Sequence, residues 1–354
     1  MTPLRLLIVD DSAYNRALLS SLFDKSTDVT VVGRAADGKE ALRLAASTAP
    51  DVITLDLEMP KMDGFTFLRL QLARKPVPVV VVSSYAQREN VFRALELGAY
   101  DFVAKTASQI GEAERELQRT ILEKVRSVRG LDPGFLAKLR ARVPPAAESR
   151  SSLPTQGQPA PNEAAAERVI GVAASTGGPA ALTHLVSALP ASSRAALLIT
   201  QHMPEKFTRT FAERLSKKST WTFTEAMGGM PVTAGAGFIA PGAKCMELTR
   251  ALRGLTTTVV APTSTDRFVP SADRLFSSLA AVFAERAVGV VLTGMGDDGV
   301  AGARAIRDRG GVVWVEADES AVASQMPRAI RDAGLASEVL SLDALRERFA
   351  DLTR

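Results

Sequence analysis

Hydrophobic positions in the first third of the chain fall in short runs separated by helix-spaced stretches. Apolar runs at 4–9, 29–33, 52–55, 77–82 and 102–104 predict strands. Between them, residues 14–23, 38–46, 65–73 and 91–97 carry apolar side chains at three- and four-residue intervals and predict helices. Strands and helices alternating in this way imply a parallel sheet covered on both faces.

The periodicity stops between 144 and 168. Pro144, Pro145, Pro154, Pro159 and Pro161 stand among Ser, Ala, Gln and Glu with few large apolar side chains, which predicts an extended linker. Residues 135–142, just before it, predict a short helix. Alternation then returns, with strands at 169–173, 196–200, 287–293 and 312–315 and helices at 180–188, 207–215, 272–283 and 300–308. The expected fold class is α/β: two doubly wound parallel-sheet domains, 1–128 and 167–354, joined by a Pro/Ala-rich linker over 129–166. No repeat at a fixed period is present.

Composition narrows the function classes. A chain of 354 residues with 46% hydrophobic and 23% charged residues is that of a soluble globular protein of more than one domain. No apolar run approaches the roughly 20 residues that cross a membrane, and the N-terminus lacks the apolar core of a signal peptide. The chain is therefore expected not to be membrane-inserted. The single cysteine, Cys245, excludes an internal disulfide and fits a reducing cytoplasm. The net charge is +4, but the basic residues alternate with acids, as in Glu112-Ala113-Glu114-Arg115-Glu116, without a basic stripe carrying aromatics. That argues against a nucleic-acid partner.

Chemistry-bearing residues gather at predicted strand ends. Asp10 and Asp11 follow the first strand and Asp56 the third, while Ser83 and Lys105 follow the fourth and fifth. In an open parallel sheet these ends share one edge, where ligands bind. Three crowded carboxylates repel one another unless a hard cation such as Mg²⁺ lies between them. With a hydroxyl and an ammonium nearby, they form an acceptor site for a phosphoryl group. The competing reading is that Asp and Ser only cap the following helices.

These residues, with the run Asp56-Leu57-Glu58-Met59-Pro60-Lys61-Met62-Asp63-Gly64, resemble the receiver domains of bacterial response regulators, over residues 4–125. The resemblance implies a flavodoxin-type sheet with Asp56 as phosphoacceptor. Asp10, Asp11, Asp56 and the backbone carbonyl of Glu58 would hold Mg²⁺. Ser83 and Phe102 would be switch positions, and Lys105 would sense the phosphate. Thr106 departs from the family, which usually has proline after the lysine.

In the second domain, a strand runs into Ala174-Ser175-Thr176-Gly177-Gly178-Pro179 and then a helix. Such a turn lifts a hydroxyl above the sheet edge and aims helix N-terminal amides at the same space, where they can stabilise an oxyanion. By itself a Ser before Gly-Gly also reads as a helix cap or a phosphate-binding turn. A nucleophilic Ser needs a base, and the chain has two histidines. His184 lies nine residues along the helix after Ser175, ~13 Å away along its axis. His202, after the strand at 196–200, is the reachable base. Asp297 and Asp298, after the strand at 287–293, supply a carboxylate to orient it. Gly294-x-Gly296-x-x-Gly299 also matches the dinucleotide-binding turn, with Glu316 where a ribose ligand is expected. Two aspartates inside that turn would oppose a pyrophosphate.

The segments around Ser175 and Gln201-His202-Met203-Pro204, with Ala240-Pro241-Gly242, Ser271-Ala272-Asp273-Arg274-Leu275-Phe276, Leu292–Gly299 and Gln325-Met326-Pro327-Arg328-Ala329, resemble the catalytic domain of the CheB protein-glutamate methylesterases. The match spans about 169–345. It implies Ser175 as nucleophile, His202 as base and Asp298 as orienting acid, with Thr176 and the Met295 loop lining the oxyanion site. No cofactor is expected in the esterase site. The implied substrates are methyl-accepting chemoreceptors, whose glutamyl γ-methyl esters are hydrolysed to release methanol and whose specific glutamines are deamidated. The implied phosphodonor is the chemotaxis histidine kinase, and phosphorylation would relieve a covering of the active site by the receiver. The rival from another class is a phosphorylation-gated, non-enzymatic signalling adaptor; a dehydrogenase built on the 294–299 turn is a third.

Overall fold

The structure, a computed structural model, describes residues 2–84, 88–105, 112–131 and 164–353. Thr106, the predicted helix over 135–142 and most of the predicted linker lie outside the described residues. Two compact units, Met1–Ser151 and Ser152–Arg354, contain the chain.

In the first unit β1 (Leu4–Val9), β2 (Val29–Ala35), β3 (Val52–Leu55), β4 (Val79–Ser84) and β5 (Asp101–Lys105) form a sheet in the order β2-β1-β3-β4-β5. All its pairings are parallel. Helices α1 (Ala13–Asp24), α2 (Gly38–Thr48), α3 (Gly64–Arg74), α4 (Arg88–Glu96) and α5 (Glu112–Ser127) connect or follow the strands. The order reverses between β1 and β3, so their carboxyl ends open a crevice. Leu6, Leu7, Ile8, Ile53 and Leu55 are fully buried beneath it. Val77 and Pro78 precede β4 rather than belonging to it, since proline has no N–H for the ladder. Ser83 thus lies inside β4, and Lys105 is the last residue of β5.

Other residues fill the capping role that competes for the acids. Ser12 caps α1, Asp37 caps α2 and Asp63 caps α3. Each such cap contributes about 1 kcal/mol. Asp11 and Asp56 are therefore not needed as caps.

The second unit holds a seven-stranded sheet. Its strands are β6 (Arg168–Ala174), β7 (Ala195–Gln201), β8 (Thr222–Glu225), β9 (Ala236–Ile239), β12 (Val288–Val291), β13 (Val312–Glu316) and β14 (Glu338–Leu340), in the order β14-β13-β12-β6-β7-β9-β8. Every pairing is parallel. An antiparallel hairpin, β10 (Cys245–Ala251) and β11 (Gly254–Val260), stands apart from the sheet. The helices are α6 (Gly178–Val186), α7 (Glu205–Lys218), α8 (Ala272–Phe283), α9 (Val300–Asp308), α10 (Gln325–Asp332) and α11 (Leu342–Leu352). Strand order reverses at β6, so the carboxyl ends of β12, β6 and β7 meet at a switch point.

Helix α8 is seated by missing side chains. Gly171 of β6 and Gly289 of β12 are register partners and present a bare strip of sheet. A Cβ on Gly171 would fall 2.3 Å from Leu279 Cδ1 and 3.1 Å from Phe276 Cε1, and one on Gly289 would fall 3.6 Å from the same phenyl ring. Glycine disfavours strands; here its cost is offset by letting the fully buried Phe276 lie flat on the sheet. The N-terminus of α8 is thereby fixed beside the switch point.

Candidate functional site

At the crevice of the first sheet, one carboxylate oxygen each from Asp10, Asp11 and Asp56 lie within 4.8 Å of one another. Lys105 Nζ sits 2.9 Å from Asp10 Oδ2 and 2.5 Å from Asp56 Oδ2. The Glu58 amide donates to Asp56 Oδ1 at 3.2 Å, and the Ser12 amide and Asn15 Nδ2 donate to Asp10 Oδ1. Burial pushes the Asp56 carboxyl up, against the pull of Lys105 and with help from Asp10. Burial lowers Lys105, but Asp56 and Asp10 outweigh it and hold the ammonium above its ordinary value.

Three carboxylates against one ammonium leave negative charge uncompensated, and all the donors are hard oxygens. That set fits Mg²⁺, the ion receiver domains use for phosphorylation. Ser83 is fully buried one strand away, in register with Ala104. Phe102 is buried, its ring 6.4 Å from that of Phe92 and 5.9 Å from Lys124 Nζ.

In the second unit the switch point gathers Ser175, His202 and Asp298. Ser175 follows β6, and its amide donates to Thr293 O across the gap to the turn after β12. The Thr293 hydroxyl donates to Thr176 O at 2.8 Å, and Gln201 Nε2 donates to Ser175 O at 2.9 Å. Gly294 closes on the Ser175 turn, since a Cβ there would lie 2.9 Å from Ser175 Cβ. Next to it, no acceptor for the Met295 amide exists among the described residues. Both Thr176 and Met295 thus flank Ser175.

His202 begins the loop after β7, its amide bonded to Ala174 O. Its Nε2 is 2.8 Å from Asp298 Oδ2. Asp298 is 1% exposed and also accepts from the Ala272 amide (2.7 Å) and the Asp273 amide (3.1 Å), with the Ser271 hydroxyl at 3.5 Å. A buried carboxylate is stable only when paired and hydrogen-bonded; here a helix N-terminus supplies the donors. With three other donors already around it, the Asp298 carboxylate accepts from Nε2–H, and the lone pair of a neutral imidazole then sits on Nδ1. Phe268 stacks on the imidazole, 5.4 Å between centroids and 4° between planes. Among the described residues no hydrogen bond joins the Ser175 hydroxyl to His202.

Several residues fall elsewhere. Asp297 pairs with Arg267 at 2.9 Å, outside this cluster. His184 pairs with Asp343 at 2.7 Å on the far side of α6 from its N-terminus. Glu316, where a ribose ligand was expected, is 1% exposed and holds the Thr293 amide at 2.8 Å. It is an internal strut of the Thr293 turn, and the dinucleotide reading loses its anchor. Ser271 and Ala272 belong to a segment whose only signal in the sequence is its family resemblance, and Phe268 belongs to no such segment. No spacing rule joins any of them to His202 or Asp298 before the loops are folded.

Comparison with known proteins gives the family. Residues 170–349 match the CheB methylesterase family and residues 6–113 the response regulator receiver domain family. A protein-glutamate methylesterase/protein-glutamine glutaminase of Myxococcus xanthus is 42% identical over 98% of this chain and 96% of its own length. One from Anaeromyxobacter dehalogenans is 43% identical over 99% and 96%. The crystal structure of the Thermotoga maritima CheB methylesterase catalytic domain covers 52% of this chain and 98% of its own, with a TM-score of 0.51 at 31% identity. The chain belongs to the CheB methylesterase family, a receiver joined to an ester hydrolase.

Proposed function

We propose that this chain hydrolyses γ-methyl esters of glutamyl residues on methyl-accepting chemoreceptors, under the control of phosphorylation at Asp56. The observation that carries the chemistry is the 2.8 Å contact of His202 Nε2 with buried Asp298, beside Ser175. Ser175 Oγ attacks the ester carbonyl carbon and its proton passes to His202 Nδ1. The tetrahedral oxyanion is met by amides of the Thr176 and Met295 turns, one such donor being worth about 10² to 10³ in rate. Collapse expels methoxide, which takes the proton from Nδ1 and leaves as methanol. Water then attacks the acyl-enzyme with His202 again as base, and glutamate and Ser175 are released. The same steps on a glutamine side chain release ammonia, which supports the deamidation that the relatives' names carry.

No helix among the described residues is long and apolar enough to cross a membrane, and the proposed site of action is the cytoplasmic part of the receptors. In the receiver, Asp10, Asp11, Asp56 and the Glu58 carbonyl are the proposed Mg²⁺ ligands. Lys105, Ser83 and Phe102 are the proposed responders to the phosphoryl group, and the chemotaxis histidine kinase is its proposed source. An adaptor has no use for a buried aspartate that aims an imidazole.

The test is methanol release from methylated receptors by wild type and Ser175→Ala, each with and without a small-molecule phosphodonor. Loss of release in folded Ser175→Ala is the expected result; retained release rejects the reading.

A further inference from the structure

Helix α9 begins immediately after Asp298, yet its own N-cap, Gly299, has no side chain to cap it. The missing acceptor comes from another helix. Asp273, in the first turn of α8, takes the Gly302 amide on Oδ1 at 2.8 Å, with the Gly299 and Ala301 amides facing the same carboxylate. In the other direction, Asp298 takes the Ala272 and Asp273 amides at the start of α8. Each acid therefore sits at the positive end of the helix that carries, or directly follows, the other. The two helices approach closely enough that a Cβ on Gly302 would lie 2.8 Å from Asp273 O and 2.5 Å from Phe276 Cβ.

We propose that Asp273 is a positioning residue for the reaction: its carboxylate locks the start of α9 onto the start of α8, and so holds the turn that carries Asp298 against His202. The Asp273 amide and side chain act on opposite partners, the amide on Asp298 directly and the carboxylate on the helix behind it. Without the carboxylate, the Gly302 amide at the start of α9 loses its acceptor, and the Asp297–Asp298 turn is freed on one side. Burial and the nearby Asp298 both push the Asp273 carboxyl up, while the Gly302 amide opposes them.

The role presupposes the Ser175 chemistry proposed above, so the experiment reads the two separately. The full chain contains two histidines, and ¹⁵N-histidine labelling gives a spectrum assignable with His184→Gln. With the imidazole neutral, wild-type His202 shows one protonated and one bare nitrogen, as its bond to Asp298 requires. In Asp273→Ala the two nitrogens move toward averaged tautomers and the His184 signals stay in place. The kcat for methanol release falls about 100-fold, as for a reactive group displaced by about 1 Å, while KM stays within about twofold. Asp273→Ser, which keeps a short acceptor, gives intermediate values and decides the matter if the alanine variant does not fold. Wild-type nitrogen shifts and wild-type kcat in whichever variant folds overturn the proposal. Turnover retained in Ser175→Ala rejects the esterase reading instead, whatever the Asp273 variants do.

Discussion

Asp298 meets His202 through Nε2 at 2.8 Å, and this leaves Nδ1 as the nitrogen that the proposed reaction assigns to Ser175. The carboxylate is surrounded by donors alone, so it cannot be replaced by a group that itself donates without turning the imidazole's proton around. Asp298→Asn does this with almost no change of shape. One amide oxygen still accepts from the start of α8, and the fold survives. The kcat is expected to fall about 10⁴-fold, the size of effect seen when a base is held in the wrong tautomer. Methanol release and a thermal melt on the same sample check this; a loss below about tenfold would mean that the aspartate does not orient the base.

The acidic cluster of the receiver predicts a metal requirement for gating but none for hydrolysis. Chelation of divalent cations is expected to abolish the stimulation of methanol release by a phosphodonor and to leave the basal rate unchanged. Mg²⁺ restores the stimulation in wild type and not in Asp56→Ala. Basal turnover that disappears with the chelator would place a metal in the esterase site.

Phe276 is expected to be a large single contributor to the stability of the second unit. Its phenyl ring fills the bare strip left by Gly171 and Gly289, where a smaller side chain leaves a cavity that the rigid strands cannot close. Phe276→Ala is expected to cost about 3–5 kcal/mol. Urea unfolding measures the loss, and a cost below about 1 kcal/mol would show that the strip collapses onto the helix.

One acid predicts a pH window for the first unit. The Arg126 guanidinium, with the Ser26 hydroxyl, holds the Asp28 carboxyl at about 2. Since this lies below the unfolded value of about 3.9, the pair stabilises the fold above that value and the contribution is lost as pH falls through about 2. Arg126→Ala removes the contribution in advance. Its melting temperature is expected to fall less steeply than that of wild type across the window, and parallel curves would disprove the linkage.

Much of this architecture was legible because it rests on local rules. Apolar runs such as 4–9 and 52–55 can only be buried strands when helix-period stretches separate them, and both strands have the predicted bounds. The strands missed in the second unit have a common cause. β8 (Thr222–Glu225) carries a single apolar residue, β14 spans three residues, β9 contains Gly237, and the β10–β11 hairpin lies off the main sheet. None carries enough periodic apolar signal to stand out. At the site, Ser175 and His202 were legible because each directly follows a strand at one edge of the sheet, and Asp298 because its turn leaves a third strand at that edge. Phe268, Asp273 and Glu316 were not, because each acts across a loop or from another helix. The dinucleotide-like spacing at 294–299 stays ambiguous for the same reason, apart from the two aspartates that speak against it: spacing records a tight turn, whereas what the turn holds depends on Glu316 and α8 folding against it.

The carboxylate that takes the first amides of α8 is the same one that aims the imidazole of His202. The start of α8 and the aim of the imidazole are therefore coupled through one side chain. On heating the wild-type chain, loosening of the start of α8 also releases the imidazole, so methanol release is expected to be lost no later than the near-ultraviolet signal of the aromatic rings packed around that helix.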